Sequence, residues 1–412
     1  MQSLKSDEGT ALNWLNGQQS TMFELTRQWA AQNSGSQNLA GLAAMAKLLA
    51  TEFAALGRIS LEPPAQVEAV NSEGQLVPVV RGHNLFLNVR PEAPVQVLLA
   101  GHMDTVFGPE HPFQTGRGVE GTHLNAPGAA DMKGGLCVML HALKALERHP
   151  AASQLGYQVI INSDEEVSSL GSAALLQTAA RKAHLGLVFE PAQADGTLAG
   201  ARKGIGAYTA VVRGKGAHAG RNHELGRNAI VAVSALFVVL ARLTGARDGL
   251  TINPARVDGG GPTNVVPELA VGRFEARVKH HADRDFVDAE IRRIVAEVAL
   301  QHDLVIDLHG RFNRPPKPFD AQQQELFEAV KHCGDALDIP VMWQASGGCC
   351  DGNNLAEAGL AVVDTLGVRG GNIHTAGEYM IIDSLSERAK LSALLLMRLA
   401  TGAITLKNKA TA

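Results

Sequence analysis

Residues 95–105 read VQVLLAGHMDT, an apolar run of strand length that ends in Gly101, His102, Met103, Asp104 and Thr105. A nearly continuous apolar run suits a strand covered on both faces, because a half-exposed strand would alternate with polar residues. Working outward, similar runs occupy residues 84–89, 157–161, 185–189 and 361–365. Helical stretches lie between and around them: residues 39–56, stopped by Gly57, and residues 133–148, closed by Pro150. Thr21 with Glu24 predicts a capping box opening an amphipathic helix that runs to about Ala31. Short apolar runs alternating with helices predict an α/β catalytic domain built on a mostly parallel sheet, with functional loops at the C-terminal ends of its strands.

The texture changes after Pro191. Residues 200–213 and 270–278 alternate, residues 225–243 and 283–300 read as helices, and residues 304–308 as a strand. This pattern predicts a separate α+β sandwich. The stretch Arg314, Pro315, Pro316, Lys317, Pro318 then acts as a stiff linker, and the first texture resumes at Phe319. The second unit is therefore expected to be inserted into the first, dividing the chain into residues 1–197, 198–312 and 313–412.

Composition narrows the function. With 37 Lys+Arg against 41 Asp+Glu among 412 residues, the overall balance offers no electrostatic draw to nucleic acid or an anionic membrane. The longest strongly apolar stretch, residues 231–241, covers about half a membrane span, and the first eight residues hold no export segment, so a cytoplasmic protein is expected. Four cysteines, Cys137, Cys333, Cys349 and Cys350, are too few for a disulfide framework and lack structural-zinc spacing. No Walker sequence, strand-to-helix GxGxxG or GxSxG elbow is present.

Five polar clusters are expected just past the C-terminal ends of predicted strands in one sheet, one of them also just ahead of a helix. His102 and Asp104 leave the first run; Asp131 sits among glycines ahead of a helix; Ser163, Asp164, Glu165 and Glu166 follow residues 157–161; Glu190 follows Phe189; His374 lies beyond residues 361–365. Each has an ordinary structural use, such as a hydrogen-bonded turn for His102 or a helix N-cap for Asp131. Adjacent acids emerging from an apolar core raise one another's pKa unless a cation compensates. Two His with three or four carboxylates form a mixed donor set suited to two zinc-class ions about 3.5–4 Å apart with one carboxylate shared.

The series GHMDTV, GAADMKGG, SDEEVSSLGS, VFEP, GKGAHAG, SGGCCDGN and GNIHTAGEY resembles, in order and spacing, the dizinc metallopeptidase superfamily of glutamate carboxypeptidase, acetylornithine deacetylase, succinyl-diaminopimelate desuccinylase and aminoacylase-1. The resemblance runs from about His83 to Leu396. It implies two zincs, with cobalt or manganese as substitutes. His102, steadied by Asp104, would bind one; Asp131 would bridge both; Glu166 and His374 would complete one site and Glu190 the other. Glu165 would be the general base. The inserted unit would be a lid and dimerisation domain, giving a homodimer. His218 would reach the partner's site to stabilise the oxyanion, with Asn264 as a further oxyanion or substrate contact. Arg277 would clamp a substrate carboxylate, with Arg314 assisting and Arg311 competing for that alignment, while Gly347 and Gly348 would form the pocket wall.

Some positions depart from the family pattern. Cys349 and Cys350 stand where relatives usually carry small hydroxyl residues or Ala, Leu124 and Asn125 replace a commonly aromatic stretch, and Arg221 adds a charge after His218. Two classes of function follow from the resemblance. One is a hydrolase cutting an amide next to a free carboxylate in a small peptide or N-acyl amino acid, with the carboxypeptidase side favoured over the deacylase side. The other is a catalytically silent binding protein, against which the intact ligand set argues.

Overall fold

The computed structural model describes residues 4–406. Its larger sheet has six strands in the order Ile59–Glu62, Asn84–Val89, Leu155–Asn162, Val95–His102, Leu185–Val188, Val362–Val363. The last four run parallel and the first two add antiparallel pairs at one edge. Both faces are covered, as the apolar run at 95–100 requires. Val97 and Leu99 pack into one cluster with residues of helices Gly134–Leu146 and Ser384–Ala400. Leu98 and Ala100 pack into another with residues of helices Ala173–Ala180 and Asp351–Glu357.

Near the N-terminus, helix Ser6–Asn16 precedes a second helix, Gln19–Ala31. Gln18 is the N-cap of that second helix, so Thr21 does not cap it; Glu24 instead takes the guanidinium of Arg27 one turn on. The expected end at Ala31 holds, but the helix begins two residues before Thr21.

A second sheet, wholly antiparallel, is ordered Thr251–Gly259, Leu269–Val278, Gly204–Arg213, Val305–Arg314. Helices Ala229–Ala241 and His281–Gln301 supply its separate core, which includes Leu236, Ile291 and Val298 against Phe274 and Ala276. Both of its covalent crossings to the first layer run side by side: Arg202 and Lys317 exchange backbone hydrogen bonds at 2.9 and 3.0 Å. Strand Leu198–Arg202, just before the crossing, pairs with Trp343–Ser346 of the first layer. The strand expected at residues 304–308 continues to Arg314, so the proline-rich segment starts at a strand's end rather than in a loop.

A third, small sheet joins Gly118–Glu120, His123–Asn125, Tyr379–Ile381 and Gly370–Gly371. It lays the turn that follows Asn125 beside the loop around His374. No helix among the described residues is long and apolar enough to cross a membrane.

Candidate metal centre

The register of the large sheet assembles one side of the site. His102 pairs with Asn162, so the Ser163–Glu166 turn emerges beside it, and the pairing of Ala100 with Val188 sets Glu190 level with His102 two residues further on. Asp131 and His374 arrive from the small sheet instead, across the open end of the large one. The expectation that all five clusters follow strands of a single sheet therefore holds for three of them.

The geometry pivots on Asp131. Its Oδ1 lies 3.1 Å from Nε2 of His102, and its Oδ2 lies 3.2 Å from Nε2 of His374. His102 Nε2 is also 3.6 Å from Glu190, and His374 Nε2 is 3.2 Å from Glu166. Two overlapping donor groups result, His102 with Asp131 and Glu190, and Asp131 with Glu166 and His374, each with its donor atoms within 4.8 Å of one another. Four of these five side chains are almost fully buried, whereas His374 keeps 51% of its side-chain surface open. Asp131 is no helix cap, since the helix begins beyond it at Gly134.

Asp104 does more than steady an imidazole. Its backbone carbonyl lies 3.0 Å from His102 Nδ1. Its carboxylate accepts the backbone N–H groups of Glu165 (3.1 Å) and Glu166 (3.2 Å) and the Ser36 hydroxyl (2.7 Å). The same side chain thus fixes the turn Glu165–Val167, from which the two glutamates diverge. Glu166 joins a donor group; Glu165 joins neither.

Charge crowding dominates the electrostatics. Burial pushes Glu166 up to about 8, helped by Asp131, and lifts Glu165 to about 7 against the pull of Arg314. Glu190 is raised well above the carboxylate range by burial and by Asp131. Burial also opposes ionised Asp131, yet hydrogen bonds from His102 and His374 outweigh it and hold that carboxyl low. His374 is raised to about 11 by its bonds to Asp131 and Glu166. These groups share protons because their negative charges need compensation. Divalent cations supply the same compensation, and two imidazoles with three carboxylates in overlapping groups are a donor set that fits two zinc-class ions.

Four of the five donors, Asp131, Glu166, Glu190 and His374, line a cleft of about 470 Å³. Gly347, Gly348, Cys349 and Cys350 line one wall of it, and Arg202 and Glu165 also line it. Hollows of 520 to 700 Å³ lie elsewhere but contain none of the five donors. Arg277 stands behind that wall, donating to the Gly347 carbonyl at 2.9 Å and to Glu275 at 2.7 Å. Arg314 is buried and committed to the backbone carbonyl of Glu165 (2.6 Å), its carboxylate (2.9 Å) and Ser169 (2.8 Å), so it braces the glutamate rather than facing the cleft. Arg311 is exposed beside a different hollow. His218 and Asn264 are neighbours in an exposed turn, held by the bridge from His218 to Val265 and by the Ala219 N–H on the Asn264 carbonyl, and neither lines the cleft of its own chain.

Sequence reasoning missed Glu378. Its buried carboxylate accepts the N–H groups of Gly128, Ala130 and Asp131 at 3.2, 2.9 and 3.0 Å, tying down the turn that presents Asp131. The signal was available, four residues after His374 in the GNIHTAGEY motif. Gly128 in that turn has φ of +72°, and a Cβ there would meet Thr105 at 2.9 Å, so the position calls for glycine.

Two adjoining nitrogen–oxygen donor groups at the open end of a covered α/β sheet form a site able to hold divalent metal ions beside a cleft, the arrangement a metal-dependent enzyme needs. Residues 98–398 match the model of peptidase family M20/M25/M40, and the chain belongs to that family. Carboxypeptidase G2 of Pseudomonas sp. (strain RS-16) is 29% identical over 90% of this chain and 87% of its own length. Succinyl-diaminopimelate desuccinylase of Psychrobacter arcticus is 30% identical over 75% and 79% respectively. Among solved structures, a tripeptidase from Staphylococcus aureus superposes with a TM-score of 0.73 at 20% identity, covering 93% of this chain and 99% of that one. A dinuclear metal-binding peptidase of this family from Bacillus subtilis superposes with a TM-score of 0.64 at 14% identity, covering 94% and 99%. The chain is thus a metal-dependent peptidase or deacylase of the M20 family.

Proposed function

We propose that the enzyme is a dizinc exopeptidase of carboxypeptidase type, hydrolysing an amide bond next to a free carboxylate. One observation carries the reading: the two oxygens of Asp131 face two different imidazoles while Glu165 stands at the cleft outside both donor groups. His102, Asp131 and Glu190 would hold one ion, and Asp131, Glu166 and His374 the other. Bound zinc supplies Lewis acidity toward the amide carbonyl and acidifies water at the site.

The remaining chemistry belongs to the chain. Glu165 takes the proton of the attacking water and delivers it to the departing nitrogen, since an amide anion is too poor a leaving group near neutral pH. Arg314 holds that glutamate in place. Arg277 would turn its planar guanidinium to the substrate's carboxylate above the wall of Gly347 and Gly348. His218 and Asn264 would act on the site of a second copy, a role supported by their exposure and by their absence from the lining of this chain's own cleft. We retain the three-part division but draw the ends of the inserted layer at the crossings near Arg202 and Lys317, a few residues beyond 197/198 and 312/313, because strand Leu198–Arg202 pairs within the first layer and strand Val305–Arg314 within the second.

The likeness to carboxypeptidase G2 across 90% of the chain favours the peptidase reading, and the likeness to a desuccinylase keeps N-acyl amino acids as the second substrate class. A panel of dipeptides and N-acyl amino acids, assayed with zinc, cobalt and manganese, tests it. Hydrolysis of substrates with a free carboxylate beside the amide is expected, with no turnover of their amidated counterparts. Equal turnover of both forms would refute the reading.

A further inference from the structure

The two crossings between the layers meet a buried charge cluster that no step above uses. Asp364, fully buried, receives Arg202 Nε at 2.7 Å and lies 3.1 Å from Nζ of Lys317, itself fully buried. Arg202 closes the outgoing crossing, Lys317 closes the returning one, and their backbones are bonded to each other. Asn353 repeats the tie, its amide donating to the Lys203 carbonyl (3.0 Å) and the Pro315 carbonyl (2.7 Å). From this node two contacts run to the cleft wall: Arg202 Nη1 to the Gly348 carbonyl at 3.2 Å, and Cys349 Sγ to the Lys203 carbonyl at 2.9 Å.

We propose that Asp364 is a positioning residue: by gripping both crossings through Arg202 and Lys317, it sets the inserted layer against the cleft wall and thereby fixes where Arg277 meets the substrate's carboxylate. Three charged groups withdrawn from water are costly, and well-packed apolar residues commonly fill such a space at no loss of stability, so stability alone does not account for them. Apolar side chains would not fix direction, whereas a carboxylate between two cations of fixed reach does. Arg277 lies on strand Leu269–Val278, paired to the strand that starts at Gly204, two residues past Arg202, so an error at the crossing is carried directly to its guanidinium. The contact of Arg277 with the Gly347 carbonyl spans the two layers and so depends on the angle between them.

The inference rests on the proposed role of Arg277, and its test separates the two. Lys317→Met replaces the ammonium by an apolar group of similar length and leaves Asp364 paired with Arg202, so the fold is expected to survive. Asn353→Ser, which loosens the same crossings without touching the charges, serves as the second variant. For both, we expect two metals retained, kcat within about threefold of wild type, and KM raised about tenfold, the worth of one charge-assisted hydrogen bond. Amide hydrogen exchange should quicken about tenfold across residues 345–350 and both crossings while residues 98–102 stay protected. Native KM with native exchange in either folded variant overturns the proposal. Faster exchange with native KM overturns the link to Arg277. Should wild type hydrolyse no carboxylate-bearing amide, the functional reading fails, and the exchange result still decides whether the node holds the layers.

Discussion

The metal cluster and the His218 turn carry residues of the same chemical kinds, yet the molecule treats them oppositely. His102 is buried at the end of a strand whose register delivers its neighbours, and both ring nitrogens meet oxygen atoms within the chain. His218 is exposed among glycines, its Nδ1 accepting only a local N–H from Gly220. The first region is complete within one chain; the second presents its side chains outward and leaves its own cleft untouched. A functional histidine can be recognised by the partners it already has or by those it lacks, and the two kinds of evidence call for different experiments.

The largest effect should come from the self-contained side. Asp131→Ala removes a donor from both groups, so metal content should fall from two toward none and activity by about 10⁴-fold or more, as when a residue acting in one unit with others is lost. Full double occupancy by metal analysis in this variant would break the picture of a shared carboxylate. Glu165→Gln sharpens the same side: two metals should remain while kcat falls by about 10²–10⁴-fold, the usual loss for a general base. Loss of metal in this variant would exchange the roles of Glu165 and Glu166.

The outward side is tested by complementation. Inactive Glu165→Ala and His218→Ala chains, mixed and allowed to exchange, should regain activity, because each hybrid dimer holds one whole site; about a quarter of all sites are restored in an even mixture. No recovery despite proven exchange would mean that His218 acts in its own chain or not at all.

The smallest effect is a pH dependence of stability. In the metal-free protein the folded pKa values of Glu165, Glu166 and His374, at about 7, 8 and 11, exceed their unfolded values. The folded state then binds more protons than the unfolded one, so stability falls as pH rises through this range. Asp131 has the opposite sign, but its contribution changes only at acid pH. Between pH 6.5 and 8 the Tm of the chelated protein should drop by a few degrees, and bound metal should remove the drop because it replaces the protons. A metal-free Tm that climbs over this interval would contradict the crowding of carboxylates described above.

Much of this was legible in the sequence because burial leaves a pattern. The run at residues 95–100 announced a doubly covered strand, and all five candidate ligands were visible as acids or imidazoles beyond apolar runs or glycines. The small sheet that delivers Asp131 and His374 was not, since its strands of two or three residues are too short to show a period. Strand Thr251–Gly259 is an exposed edge interrupted by Pro254 and lacks the alternation that betrays a buried face. Buried charges were the hardest to foresee. Arg202 and Asp364 lie 162 residues apart, and nothing local marks either as one half of a pair. Arg314 illustrates the same difficulty: the family resemblance implied that it assists the Arg277 clamp, and nothing local in the sequence shows that its guanidinium meets Glu165 and Ser169.

The small sheet has a consequence for how the enzyme comes to life on the ribosome. A nascent chain that has emerged as far as Arg314 already contains His102, Asp131, Glu165, Glu166 and Glu190. It still lacks strand Tyr379–Ile381, the Glu378 carboxylate that ties down the Asp131 turn, and His374 itself. Domains generally fold from the N-terminus as they are made, so the inserted layer can be finished while the earlier acids wait without their final partners. Completion of the shared site thus falls in the last stage of synthesis: a chain stalled at Arg314 would lack His374 and the carboxylate that ties down the Asp131 turn.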